Sequence, residues 1–150
     1  MTSDLQIQGR LLGQRLDEPL QIRRKLRLVV EIFATYVRLR LMLPGRRLPD
    51  VVARLRSCAD QRSEVTLDDQ VDGIRLGRAV SKALAPLPFD SRCLVRSLVL
   101  TRMLARRGIP SRLVIGVEPG PDFSAHAWVE ADGLPLLPAE AARFGRITEL

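Results

Sequence analysis

The sequence predicts an α+β fold, and three observations predict it. Apolar residues recur at helical spacing through the N-terminal part, 1–88. A leucine-rich run that opens at Cys93 is apolar on most sides. Beyond Gly108 the pattern changes to short segments separated by turn residues. Helices first, then a central buried helix starting near Cys93, then a small antiparallel sheet is the order of an α+β domain, not of alternating βα units. At 150 residues the chain is expected to form a single domain over 1–150, with a helical part at 1–88 and the buried helix plus strands at 89–150.

The first element is IRRKLRLVVEIFATYVRLRLMLP, 22–44. Arg27, Glu31, Arg38 and Arg40 interrupt it, so it is not a membrane span. Ile22, Leu26, Val29, Val30, Phe33, Val37 and Leu41 recur at helical spacing, and Pro44-Gly45 ends the run. Packing of that face against the core is the first reading. Docking on a partner or a membrane surface is the second, kept open by the basic flanks. A short helix is predicted from Pro49 to Cys58, with Pro49 in the first turn and Val51, Val52 and Leu55 facing inward. Thr66 and Asp69 have the spacing of a capping box, and a helix over 67–84 follows, with Ile74, Val80 and Leu84 apolar. Gly73 and Gly77 weaken it by helix propensity.

APLPFDS breaks the chain and offers Asp90 or Ser91 as an N-cap. RCLVRSLVLTRMLARR then reads as a buried helix, closed by Gly108 at C′ with Pro110 just beyond. SRLVIGVE, 111–118, and AHAWVEA, 125–131, read as strands. Asp132-Gly133 is a two-residue hairpin signal. LPLL, 134–137, returns as an edge strand limited by Pro135 and Pro138.

Composition narrows the function. The net charge is +7, with Lys25 and Lys82 the only lysines, so the surface is an arginine surface. It favours an anionic partner: an acidic peptide, an acidic protein face, nucleic acid or lipid. Nucleic acid is the weaker choice, because aromatics are only 4% of the chain and no recognition motif is present. Two cysteines, Cys58 and Cys93, form no disulfide framework, and MTSDLQIQGR has no signal-peptide core, so a reducing cytoplasm is the expected location. Two cysteines and one histidine, without CxxC or HxxxH, are a poor zinc set, and no metal or cofactor is expected.

Cys93 falls in the first turn of the buried helix. There the unpaired N–H groups and the positive dipole end stabilise a thiolate, the nucleophilic form of the side chain. His126, the only histidine, opens a strand that can lie against that helix. An imidazole there could take the thiol proton and deliver it to a leaving amine. First-turn N–H groups could stabilise an oxyanion. The opposing reading is structural: cysteine is among the most often buried residue types, and a lone histidine beside a tryptophan is commonly a packed one. Cys58 is the weaker candidate, since it lies late in its helix, where the dipole opposes a thiolate. Trp128 either covers the pair and walls a groove, or packs the core.

The run CLVRSLVLTRMLARRGIPSRLVIGVEPGPDFSAHAWVEADG resembles the signature of the lasso peptide biosynthesis B2 proteins, in the transglutaminase-like, papain-related cysteine protease superfamily. SRCLVRSLVL, RRGIPSRLVIGV and FSAHAWVEADG carry the match, within 91–133. The helix at 22–44 agrees less specifically with the family's N-terminal part.

The resemblance implies a transglutaminase/papain-like core and a leader peptidase, with Cys93 as nucleophile and His126 as base and acid. It implies no cofactor. The substrate it implies is a ribosomally made precursor peptide whose leader is held by a separate recognition protein, B1. A separate ATP-dependent macrolactam cyclase then uses the freed amine. The length corresponds to a stand-alone protease half.

The resemblance also implies an acid about a dozen positions after the histidine, but Pro138 stands there. Glu140 is the nearest downstream candidate to orient the imidazole, as an aspartate does in a serine triad. Glu130 shares the strand face of His126 but is read as remote, and Asp132 as a turn residue. The departure at Pro138 motivates a rival reading: a non-catalytic scaffold of the same fold that binds the precursor or its maturation partners. Acyl transfer to an amine instead of water is a further alternative.

Overall fold

The computed structural model describes residues 2–57, 64–87, 92–118, 124–137 and 144–150, with 2–20 as backbone only. Four helices precede a four-stranded antiparallel sheet: α1 (Thr2–Met42), α2 (Leu48–Arg56), α3 (Leu67–Leu84), α4 (Arg92–Ala105), β1 (Arg112–Glu118), β2 (Ser124–Ala131), β3 (Leu134–Pro135) and β4 (Gly145–Glu149). This is the predicted α+β class. The chain divides into two compact units, Met1–Glu31 and Ile32–Leu150. The described residues of the first are all helical, and the second carries every other element. Among the described residues, no helix is long and apolar enough to cross a membrane.

Helix α1 begins at Thr2, well before residue 22, and ends at Met42 as Pro44-Gly45 requires. Its inward face is not the predicted one. In the second unit the helix buries Ile32, Thr35 and Leu39, and leaves Phe33, Val37 and Leu41 exposed. Ile22, Leu26, Val29 and Val30 are exposed as well. The helix is apolar on more than one side, and periodicity does not say which stripe meets the core.

Helix α2 carries Pro49 in its first turn and buries Val51, Val52 and Leu55, as the sequence predicts. The capping box of α3 is present in both halves: the Thr66 hydroxyl accepts from the Asp69 N–H, and the Asp69 carboxylate accepts from the Thr66 N–H. The glycines of α3 have a packing purpose. A Cβ on Gly77 would collide with the Leu136 carbonyl oxygen, and one on Gly73 would lie 2.9 Å from a Leu136 methyl. The chain beyond β3 therefore runs close against the α3 backbone.

Helix α4 is the centre of the domain, with Leu98, Val99, Leu100, Met103 and Leu104 fully buried. It ends in a Schellman closure: the Ile109 N–H reaches the Leu104 carbonyl, the Gly108 N–H reaches that of Ala105, and Gly108 has φ +68°. The sheet order is β3-β2-β1-β4. Asp132 and Gly133 both have positive φ, 50° and 76°, the geometry of a two-residue I′ hairpin between β2 and β3. Strand β3 is an edge, as Pro135 requires. The opposite edge, β4, was not predicted. It pairs with β1 across an irregularity at Ile115/Gly116. Arg56 of α2 braces that side, donating to the backbone carbonyls of Ser111 and Leu150.

Candidate active site

Cys93 is the second residue of α4, half-buried and outside any disulfide. It lies among first-turn N–H groups that have no intrahelical acceptor. Ser97 and Thr101 follow at one and two turns on the same side of the helix. Both are fully buried, a polar row within the helix's buried face. The Thr101 hydroxyl returns to the Ser97 carbonyl at 2.9 Å. The Ser97 hydroxyl instead leaves the helix and donates to the Ala127 carbonyl of β2, also at 2.9 Å. Cys93 is one turn below that bridge, roughly 6 Å along the axis.

His126 precedes Ala127 in β2 and is half-buried. Its cross-strand partner in β1 is Gly116. Two aromatic rings lie nearly parallel to the imidazole. Trp128 is at a centroid distance of 6.0 Å and 20°, and Phe144 is at 5.1 Å and 24°. Gly116 makes room for them: a Cβ there would come within 2.9 Å of the Trp128 ring and 3.0 Å of the Phe144 Cβ.

Period-two alternation continues the row to Glu130, which is only 4% exposed. One of its oxygens accepts from the Trp128 indole N–H at 2.7 Å and from the Arg146 guanidinium at 2.8 Å. A buried carboxylate requires such partners, because an isolated one is strongly disfavoured away from water. Arg146 therefore ties β4 to this carboxylate, and it also pairs with Glu149 of its own strand at 3.0 Å.

The sequence profile described as the transglutaminase-like superfamily matches residues 20–149. The chain belongs to the transglutaminase-like superfamily. That superfamily includes cysteine proteases, and its usual activities are those of cysteine peptidases and transglutaminases. No curated protein and no solved structure matches the chain.

In this transglutaminase-like domain α4 and β2, the two elements that carry Cys93 and His126, are joined by the Ser97–Ala127 hydrogen bond. Glu140 and Pro138 lie outside the described residues, as do Cys58, Asp90 and Ser91. Trp128 is 1% exposed, as the core-packing reading expects, and its ring stacks on that of His126.

Sequence reasoning missed three contributors. Phe144 and Arg146 depend on β4, a short strand whose residues are all exposed and which has no alternating signal. Glu130 was read as remote from His126, yet it holds the tryptophan that stacks beside the histidine. The signal was present: His126, Trp128 and Glu130 are at i, i+2 and i+4 in one strand.

Proposed function

We propose that this protein is a cysteine peptidase that removes the leader from a ribosomally synthesised lasso precursor peptide. What supports the reading is the α4–β2 junction, where Cys93 starts the helix one turn from the Ser97–Ala127 bridge and His126 adjoins that bridge. The sequence resemblance within 91–133 supplies the substrate class.

In this reading His126 takes the Cys93 thiol proton, and the sulfur attacks the carbonyl carbon that ends the leader. Helix-start N–H groups stabilise the oxyanion. The tetrahedral intermediate collapses as the imidazolium gives its proton to the core's nitrogen, which leaves as a free amine. The leader remains as a thioester on Cys93. His126 then takes a proton from water, the hydroxide attacks the thioester, and the leader departs as a carboxylic acid while the thiol is restored. Glu140 is the candidate to orient the imidazole. The freed amine is then available to the macrolactam cyclase, and B1 delivers the leader.

The test is to mix the protein with a cognate precursor and its leader-binding partner and to follow product masses. Wild type is expected to release leader acid and core amine. Cys93→Ala and His126→Ala are expected to lose the reaction by about a thousandfold or more. Undiminished cleavage by either variant would remove the assignment. A leader mass carrying an amine in place of water would turn it into acyl transfer.

A further inference from the structure

The far end of α4 holds a second concave site. A pocket of about 420 Å³ opens between the end of α1, α2 and the end of α4. Four arginines line it: Arg38 from α1, Arg54 from α2, Arg102 from the end of α4 and Arg106 just beyond that end. Among the described residues, no aspartate or glutamate lines it. Its floor is apolar and buried, formed by Leu39 at 1% exposure and Leu55 at 5%, with Thr35 beside them. Arg102 donates to the Leu55 carbonyl at 3.1 Å, which fixes its stem against the wall. Arg38 and Arg54 are exposed, and among the described residues neither makes an ion pair.

Arg38 and Arg54, exposed beside a low-dielectric floor, focus a positive potential into the cavity. A ligand that complements this carries negative charge outside and an apolar group inside. We propose that the pocket is an exosite for an acidic amphipathic peptide segment, with carboxylates on Arg38 and Arg54 and an apolar side chain on Leu39 and Leu55. Among the described residues, no aromatic side chain lines the pocket as a platform on which bases could stack. It is a concavity, not the open apolar face that a helix lays on a membrane. Arg102 is nine residues from Cys93 in the same helix, about 14 Å along its axis. An extended peptide covers that in roughly four residues. A segment held here would raise the local concentration of its neighbours at the other end of α4. The inference goes beyond the peptidase reading and does not depend on Cys93 chemistry.

The test is equilibrium binding, followed by fluorescence anisotropy on the full chain carrying Cys93→Ala, so that no cleavage intervenes. The probe is a short labelled peptide of alternating glutamate and leucine, with a lysine–leucine counterpart as control. The glutamate peptide is expected to bind and the lysine peptide not to. Arg38→Glu with Arg54→Glu is expected to weaken binding about tenfold or more, since both attractions become repulsions. Arg75→Glu with Arg78→Glu on α3 makes the same change in net charge outside the pocket and is expected to leave affinity within about twofold. All four side chains are exposed, and a thermal melt checks that both doubles fold. Equal weakening by the two doubles would reduce the effect to bulk charge and overturn the proposal. So would absence of glutamate-peptide binding, or an RNA oligonucleotide or phosphatidylglycerol vesicles that bind through Arg38 and Arg54 when the peptide does not.

Discussion

The Trp128 indole N–H donates to the Glu130 carboxylate at 2.7 Å, from a position two residues earlier on the same strand face. The same oxygen accepts from Arg146 on β4. One buried acid thus holds both the tryptophan beside His126 and an edge strand two strands away. Arg146→Ala leaves that carboxylate with the indole alone. Because the Arg146 side chain is half exposed, screening reduces the loss, and about 1–2 kcal/mol of stability is expected to go. Trp128→Phe leaves the guanidinium in place and removes the N–H and some packing volume, for a loss of about 1–3 kcal/mol. Urea denaturation of the single and double variants checks this. Because both residues bond one oxygen, the two losses are expected not to add.

Gly73 and Gly77 separate helix propensity from packing. Alanine in a helix interior is favoured over glycine by about 1 kcal/mol. At Gly73 the new methyl meets the end of the flexible Leu136 side chain, which can give way, so Gly73→Ala is expected to be close to neutral. At Gly77 it meets the Leu136 carbonyl oxygen, which is backbone and cannot, so Gly77→Ala is expected to cost about 2 kcal/mol or more. Thermal melts of the two variants decide it. A stabilised Gly77→Ala would show that α3 and the Leu136 segment are not in close contact.

Ser97 is the polar group that fixes α4 to β2. Replacing it with alanine removes one buried hydrogen bond and leaves the Ala127 carbonyl without that donor, a loss of about 1–3 kcal/mol. If the bridge sets the spacing of Cys93 from His126, cleavage is expected to fall further than stability explains. The fall should appear in kcat at temperatures where the variant remains fully folded. Ser97→Thr, which keeps the hydroxyl, is expected to recover part of it.

Most of the fold was legible because its signals are local. The Thr66–Asp69 box, the Gly108 closure and the Asp132-Gly133 turn each need only a few neighbouring residues, and each formed as read. What failed required knowledge of distant partners. The face of α1 that packs depends on which apolar stripe another element meets, and Ile32, Thr35 and Leu39 won over Phe33, Val37 and Leu41. Strand β4 is held by β1 and by ion pairs such as Arg112–Glu149, not by an apolar alternation of its own. The same contrast holds at the candidate site. Cys93 and His126 announced themselves by residue type and local position, whereas Phe144 reaches His126 only through the pairing of β4 with β1.

His126 is the only histidine of the chain, so its imidazole can be observed without interference. The Phe144 ring, 5.1 Å away and 24° from parallel, restricts the plane in which the imidazole can turn. Phe144→Leu keeps an apolar neighbour but removes the flat wall. Its ring current also vanishes, so the imidazole proton signals are expected to shift. The carbon-bound ring protons are expected to broaden or sharpen as rotamers exchange. If the peptidase reading holds, kcat is expected to fall about tenfold with KM little changed, because a misaligned base slows proton transfer without weakening the hold on substrate. A shifted spectrum with unchanged kcat would make Phe144 a packing residue alone. An unchanged spectrum would show that the two rings do not meet in solution.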